Sequence, residues 1–245
     1  MDKLYESKYH RLEKYYWLLI TRRGIIINLI KKMGVANNAK ILEIGCSSGP
    51  LINLLKHNGF TNNYGIDISV DAINLCKKRD LNNVAIMDGA KTQFEDREFD
   101  IIIASDVLEH IKDDQSALLE WYRLLKPNGK LILFVPAFDF LWSDHDEINN
   151  HFRRYNKSSL TKKLKEAQFK VLRISYWNFV LFFPTYLLRT FQHFFTKKKD
   201  EPKDQLYELN SLVNKILIVL LKTENLFLKY FNFPTGVSIF TICRK

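Results

Sequence analysis

Between Lys40 and Ala137 short β-rich apolar runs alternate with stretches of helical spacing. The runs are KILEIG, NYGIDI, NVAIMD, FDIIIAS and GKLILFVPA, and helices are expected over 49–57, 71–78 and 114–125. Strands this short and this apolar are buried on both faces, and the intervening helices supply the covering layers. The pattern therefore predicts an α/β fold built from βαβ units, a doubly wound and mostly parallel sheet. Asn156 or Ser158 can cap a further helix to about Gln168, FKVLRISYW follows as another strand, and VSIFTICRK as the last.

A chain of 245 residues with 47% hydrophobic composition can bury one full core, so one domain is expected. Its parts are an N-terminal helical cap over 1–38, the core over 39–177, a helical insertion over 178–235 and a final strand over 236–245. In the insertion, Lys215, Lys222 and Lys229 recur every seven residues, which confines them to one stripe and leaves most of the helix circumference apolar. Two readings stay open: a helical hairpin packed on the sheet, or a surface for an apolar substrate, a partner or a membrane. The basic run Lys197 to Lys199 between the two helices would suit a membrane-facing hairpin. Pro184, Arg189 and Lys222 interrupt the best apolar segments, so spanning a membrane is not expected, while lying on one stays open. A net charge of +10 suits nucleic acid, an anionic membrane or acidic substrates and selects none of them. Cys46, Cys76 and Cys243 lack C-x-x-C spacing and MDKLYESKYH has no signal-like apolar run, from which a reduced, cytoplasmic protein is expected.

The chemistry begins at ILEIGCSSGP, where a buried strand carrying Glu43 turns through Gly45 and Gly49 into a helix. Glycines there let a ligand approach the backbone without a Cβ in the way. Further on, GIDIS sets Asp67 at the tip of the next strand, where a carboxylate can accept both hydroxyls of a ribose. The turn lacks the G-x-G-x-x-G that seats a pyrophosphate, and no phosphate-binding loop is present. A ligand with a ribose and no phosphate fits best.

Taken in order, LEIGCSSG, GIDIS, MDGA, FDIIIASDVLEHI and LLKPNGKLILFVP resemble the successive motifs of class I S-adenosylmethionine-dependent methyltransferases. The resemblance implies a seven-stranded sheet of order 3-2-1-4-5-7-6 with an antiparallel last strand, and S-adenosylmethionine as cofactor. It places Gly45, Cys46 and Gly49, with Glu43, beneath the methionine part of the cofactor. Asp67, with Ile68, would hold the ribose, Asp88, with Gly89, would meet the adenine, and Ser105 would close the pocket. Ser47 departs from the pattern, standing where the middle glycine is usual. The flanks resemble a bacterial branch marked by Glu13, Tyr16, Trp17, Arg22 and Arg23 and by W-S-x-H-D followed by H-x-R-R-Y, although Gln168 replaces a common glycine. Trp17, Arg153, Arg154 and Tyr155 are the residues expected to meet substrate.

Methyl transfer to a hydroxyl needs a base, and histidine is suited to that near neutral pH. The candidates lie on the loops at the carboxyl ends of strands four and five: His145, favoured, then His151, from the later loop, and Asp106, Glu109 and His110 from the earlier one; for His110 a structural or cofactor-side role is the favoured reading. Arg153 and Arg154 could grip a carboxylate or phosphate, or pair with Asp144, Asp146 or Glu147. A metal held by Asp106, Glu109, His110 and His145 is conceivable, but the spacing is not diagnostic and no metal is assigned. ASDVLEH lacks the motif that grips a flipped base, and no RNA-binding module is evident, which argues against nucleic acid. The expected function is methyl transfer to a small-molecule, lipid or lipid-linked glycan acceptor, on oxygen. RNA methylation and a non-catalytic cofactor-binding scaffold are the alternatives.

Overall fold

The structure, a computed structural model, describes residues 3–195 and 206–245. Two helices lead, α1 (Lys3–Leu12) and α2 (Trp17–Lys32). The core follows as β1 (Ile41–Ile44), α3 (Pro50–His57), β2 (Asn63–Asp67), α4 (Val70–Lys77), β3 (Val84–Ile86), β4 (Phe99–Ser105), α5 (Asp114–Leu124) and β5 (Leu125–Pro136). Beyond it come α6 (Asp144–Ile148), α7 (Lys157–Glu166), β6 (Lys170–Trp177), α8 (Phe182–Phe195), α9 (Ser211–Phe227) and β7 (Ser238–Arg244). The basic run Lys197 to Lys199 lies outside the described residues.

The seven strands form one sheet in the order β3-β2-β1-β4-β5-β7-β6. Pairing is parallel from β3 to β5, and β7 runs antiparallel to both β5 and β6. Ile41, Leu42, Ile102, Ile103, Ile132 and Leu133 of the central strands are completely buried, as strands covered on both faces must be. β5 starts earlier than expected: Leu125 pairs with Phe99, and the register shifts before Lys130 meets Ile101. Asn128, at φ 65, turns the backbone within that shift.

Local chemistry sets the helix starts. Ser69 caps α4 by accepting from the amide of Ala72, Asp113 caps α5 through Ser116, and Asn156, of the two expected caps, receives the amide of Ser159 at 2.8 Å. Gln168 sits at φ 67 after α7, a left-handed position that explains why glycine is common there.

The insertion does not close as a simple hairpin on the sheet. α9 packs along α2, where Asn225 donates to the carbonyl of Thr21 and the amide of Trp17 donates to Asn214. It also meets the end of β6: the indole of Trp177 donates to Asn225 at 2.8 Å, and the buried carboxylate of Glu224 accepts the amides of Asn178 and Val180. α8 starts instead against the turn after β5, with ring centroids 5.8 Å apart for Phe138 and Phe182 and 5.6 Å for Phe140 and Tyr186. Both helices thus leave the sheet at the carboxyl ends of its parallel strands.

Candidate functional site

At the carboxyl ends of β1 and β4 a cleft is lined by Gly45, Cys46, Ser47, Ser105 and Asp106 from the core and by Arg22 and Arg23 of α2. The turn after β1 has left-handed backbone at Gly45 (φ 70), Ser47 (φ 51) and Gly49 (φ 79). A Cβ on Gly45 would stand 2.4 Å from Val107, so this position excludes any side chain. Asp67, at the tip of β2, is held by two amides: Ser47 donates to Oδ2 at 2.8 Å and Ser69 to Oδ1 at 2.9 Å. Burial raises its pKa, and those two amides oppose the rise.

These residues fit S-adenosylmethionine. The anchored Asp67 retains lone pairs for ribose hydroxyls, and the left-handed turn offers bare backbone beside it. Ile68, next to Asp67, is 76% exposed, an apolar surface that a bound purine would cover. Asp88 is exposed beyond β3 with one oxygen on the amide of Ala90, and Gly89 accepts the buried indole of Trp121 at 2.8 Å. Glu43 is buried at the base of the cleft, and its pKa is pushed well up by that burial despite Arg23 nearby.

The N-terminal helices supply polar contacts to the turn that composition does not announce. Glu13 accepts the hydroxyl of Ser47 at 2.8 Å, and Glu6 accepts that of Ser69. Arg22 pairs with Asp106, and its guanidinium lies over the rings of Phe134 and Trp177 at 5.7 and 5.0 Å. Burial lowers the pKa of Arg22 to about 10. Trp17 is half-buried at the start of α2, with its amide on Asn214.

The histidine- and arginine-rich stretch after β5 folds back on the turn after β4. Phe152 donates its amide to the carbonyl of Glu109 at 2.8 Å, and Nδ1 of His110 lies 2.9 Å from the carbonyl of Asn149. At its centre stands Asp146, fully buried, which caps α6 through the amide of Ser143. Asp146 receives both Nε and Nη2 of Arg154 at 2.8 and 2.9 Å and Nδ1 of His151 at 2.8 Å. Burial alone would raise this carboxyl, but His151 and Arg154 hold it far below the ordinary range.

The arginines and the tyrosine expected to meet substrate are engaged within the chain, Arg154 in the alternative expected for it, an ion pair with Asp146, and Arg153 and Tyr155 on a different acid. Arg154 is committed to Asp146, while Arg153 and the hydroxyl of Tyr155 both engage Asp114, at 2.8 and 2.9 Å. A short bidentate ion pair in a buried setting outcompetes a grip on an external anion, because either partner left alone would be an uncompensated charge. Of the two histidines, His145 is pushed to about 4 by burial, and its Nδ1 lies 3.3 Å from the amide nitrogen of Asn149. His151 instead has the acid partner. His110 is likewise lowered to about 4, first by burial and then by His151.

Glu109 is the residue that sequence reasoning undervalued. It is completely buried, neither carboxylate oxygen has a hydrogen-bond partner, and burial raises its pKa to about 8. Among the described residues, Glu109, His110 and His151 could converge on a cation, their ligand atoms lying within 4.8 Å of one another. A zinc-like site with bonds of about 2.1 Å draws its ligands to within about 3.4 Å. Asp106 and His145, also considered for a metal, are not part of this group.

The model of the methyltransferase domain family matches residues 18–174. An uncharacterized protein of Methanocaldococcus jannaschii is 34% identical over 157 residues, 64% of this chain and 65% of that protein. Phosphoethanolamine N-methyltransferase 3 of Arabidopsis thaliana is 28% identical over 99 residues, 38% of this chain and 20% of its own length. The ubiquinone biosynthesis O-methyltransferase of Actinobacillus pleuropneumoniae is 30% identical over 102 residues, 38% and 43% of the two chains. Each match spans less than two thirds of the relative's length. A solved S-adenosylmethionine-dependent methyltransferase from Archaeoglobus fulgidus superposes with a TM-score of 0.56 at 18% identity, covering 96% of this chain and 97% of that one, a likeness of fold. With a left-handed glycine turn, an anchored Asp67 and the family's strand order all present, the chain belongs to the S-adenosylmethionine-dependent methyltransferase domain family.

Proposed function

We propose that the chain transfers a methyl group from S-adenosylmethionine to an oxygen of a hydrophobic small-molecule, lipid or lipid-linked glycan acceptor. When bound, the cofactor supplies a methyl group on a sulfonium, whose leaving group is already activated. The residues have three tasks: Asp67 and the backbone at Gly45 hold the cofactor, Ser105 and Asp106 border the acceptor side, and a base removes the hydroxyl proton.

The observation that carries the oxygen reading is the buried pair of Asp146 and His151. Donation from Nδ1 to the carboxylate leaves Nε2 of His151 as the proton acceptor and stabilises the imidazolium once the proton has moved. This reverses the preference for His145, whose burial opposes taking up a positive charge. Exposed Leu187, Val219 and Tyr230 on and beside the two inserted helices support an apolar acceptor. One relative is, by its name, an O-methyltransferase of ubiquinone biosynthesis.

The test is incubation of the chain with methyl-labelled S-adenosylmethionine and fractionated extracts of the native cell. Label in the organic phase, base-labile or ether-stable as the bond type dictates, supports the proposal. Label in RNA refutes it. With the acceptor in hand, His151→Ala should slow transfer by about 10²- to 10⁴-fold while cofactor affinity is kept, and His145→Ala should not.

A further inference from the structure

We propose that the chain docks on an anionic lipid bilayer through the outward faces of α8 and α9. The reasoning starts with how little of α9 the fold covers. Leu221, Glu224, Asn225 and Leu228 face α2 and the end of β6 and are buried. On the opposite side, at helical spacing, Leu212, Ile216, Val219 and Leu226 are exposed, Val219 by 64%. A helix that is apolar nearly all round and buried on one side leaves a second apolar face in water, an arrangement that persists where something else covers it. α8 repeats the situation with Phe183, Leu187 and Leu188, Leu187 being 67% exposed.

Charge decides which occupant this surface fits. Lys215 and Lys222 of α9, with Lys229 just beyond it, run along one edge of the exposed apolar face, and all three are exposed. The one acid described on either helix is Glu224, which is buried and held by the amides of Asn178 and Val180. An outward face of aliphatic and aromatic side chains edged by lysines and free of exposed carboxylates matches the interface of a bilayer with acidic headgroups, where lysine stems lie on the apolar layer and their ammonium groups reach phosphate. The net charge of +10 adds long-range attraction of the same sign. Among the described residues no helix is long and apolar enough to cross a membrane, so the contact is peripheral.

The position of the two helices gives the contact a consequence. α8 begins on the turn after β5, and α9 lies on α2, whose Arg22 and Arg23 line the cofactor cleft. Docking would therefore set the acceptor side of the cleft close to the lipid surface. The inference goes beyond the methyl-transfer reading, which draws on the same exposed surface for its apolar acceptor; vesicle binding and methyl transfer are read separately, so either can fail without the other.

The experiment is co-sedimentation of the full chain with vesicles of phosphatidylcholine alone and with 30 mol% phosphatidylglycerol, on the order of a physiological acidic fraction. The expected result is binding to the acidic vesicles at least about tenfold tighter than to the neutral ones, weakened by raised salt. Leu187→Glu and Val219→Glu, both at exposed positions, should together reduce binding at least about tenfold, with the melting temperature and S-adenosylmethionine affinity unchanged. Replacing Lys215, Lys222 and Lys229 by Gln should abolish the preference for acidic lipid while leaving the fold intact. Absence of binding to acidic vesicles, or binding indifferent to the two glutamates, overturns the proposal. So does sedimentation equilibrium showing a dimer that the same glutamates dissociate, since the face would then belong to a second copy.

Discussion

Glu13, buried at the end of the first helical segment, accepts a hydrogen bond of 2.8 Å from the hydroxyl of Ser47, tying the N-terminal helices to the middle of the glycine turn after β1. Nδ1 of His10 lies 3.1 Å from the same hydroxyl. Ser47 holds a left-handed backbone at φ 51, which costs a non-glycine residue about 1–2 kcal/mol. The hydroxyl contact gives that cost a reason.

Two substitutions separate these effects. Glu13→Ala removes the carboxylate that accepts this hydroxyl and that also lies 3.5 Å from the guanidinium of Arg79, and should lower stability by about 1–3 kcal/mol in urea unfolding. Ser47→Gly loses the same bond but relieves the backbone, so its net change should be clearly smaller. A Ser47→Gly loss as large as or larger than that of Glu13→Ala, which also gives up the contact with Arg79, would mean that the strain at Ser47 contributes nothing.

Gly45→Ala should be severe. The new Cβ meets Val107 at 2.4 Å on a residue at φ 70, so the turn must move, and S-adenosylmethionine affinity measured by calorimetry should fall at least about tenfold. An alanine variant with native affinity would show that the cofactor does not use this turn.

Arg154→Met removes the bidentate partner of a fully buried carboxylate. An uncompensated buried charge costs about 3–5 kcal/mol, which denaturant titration reads directly. A loss under 1 kcal/mol would show that His151 alone suffices to hold Asp146.

Glu43 titrates upward on folding, first because it is buried and further because of Cys76, Asp67 and Glu13, with Arg23 opposing. A carboxyl raised in the folded state contributes stability that is fully present below its unfolded pKa, about 4.3, and is lost as pH rises through the folded value. Glu43→Gln removes that loss. The variant and the parent should melt alike at pH 4, and the variant should be the more stable at pH 7. A constant difference across that range would contradict the assignment.

Much of the fold was legible locally. The alternation from Lys40 to Ala137, the helix cap at Asn156 and the left-handed turn at Gly45 and Gly49 follow from backbone geometry and from side-chain burial period, which act over a few residues. The family resemblance carried the strand order, and the sheet shows it. The stretch SDHDEINNHFRRY was legible only as a crowd of polar groups. Its periodicity is too short to say that Ser143 to Asp146 would cap a one-turn helix, or that Asp146 rather than an external anion would take Arg154.

What the sequence by itself determined is the alternation of core strands and helices and the location of the glycine turn, because those depend on neighbours along the chain. Tertiary structure alone decided that Asp146 belongs to His151 and not to His145, that the carboxylate of Glu109 is buried without a hydrogen bond, and that one apolar face of α9 is covered while the other is not. The physical reason is the range of the forces involved. Ion pairing, desolvation and helix packing depend on distances through space between residues far apart in sequence, and those distances exist only once the sheet has brought the ends of β4, β5 and β6 together.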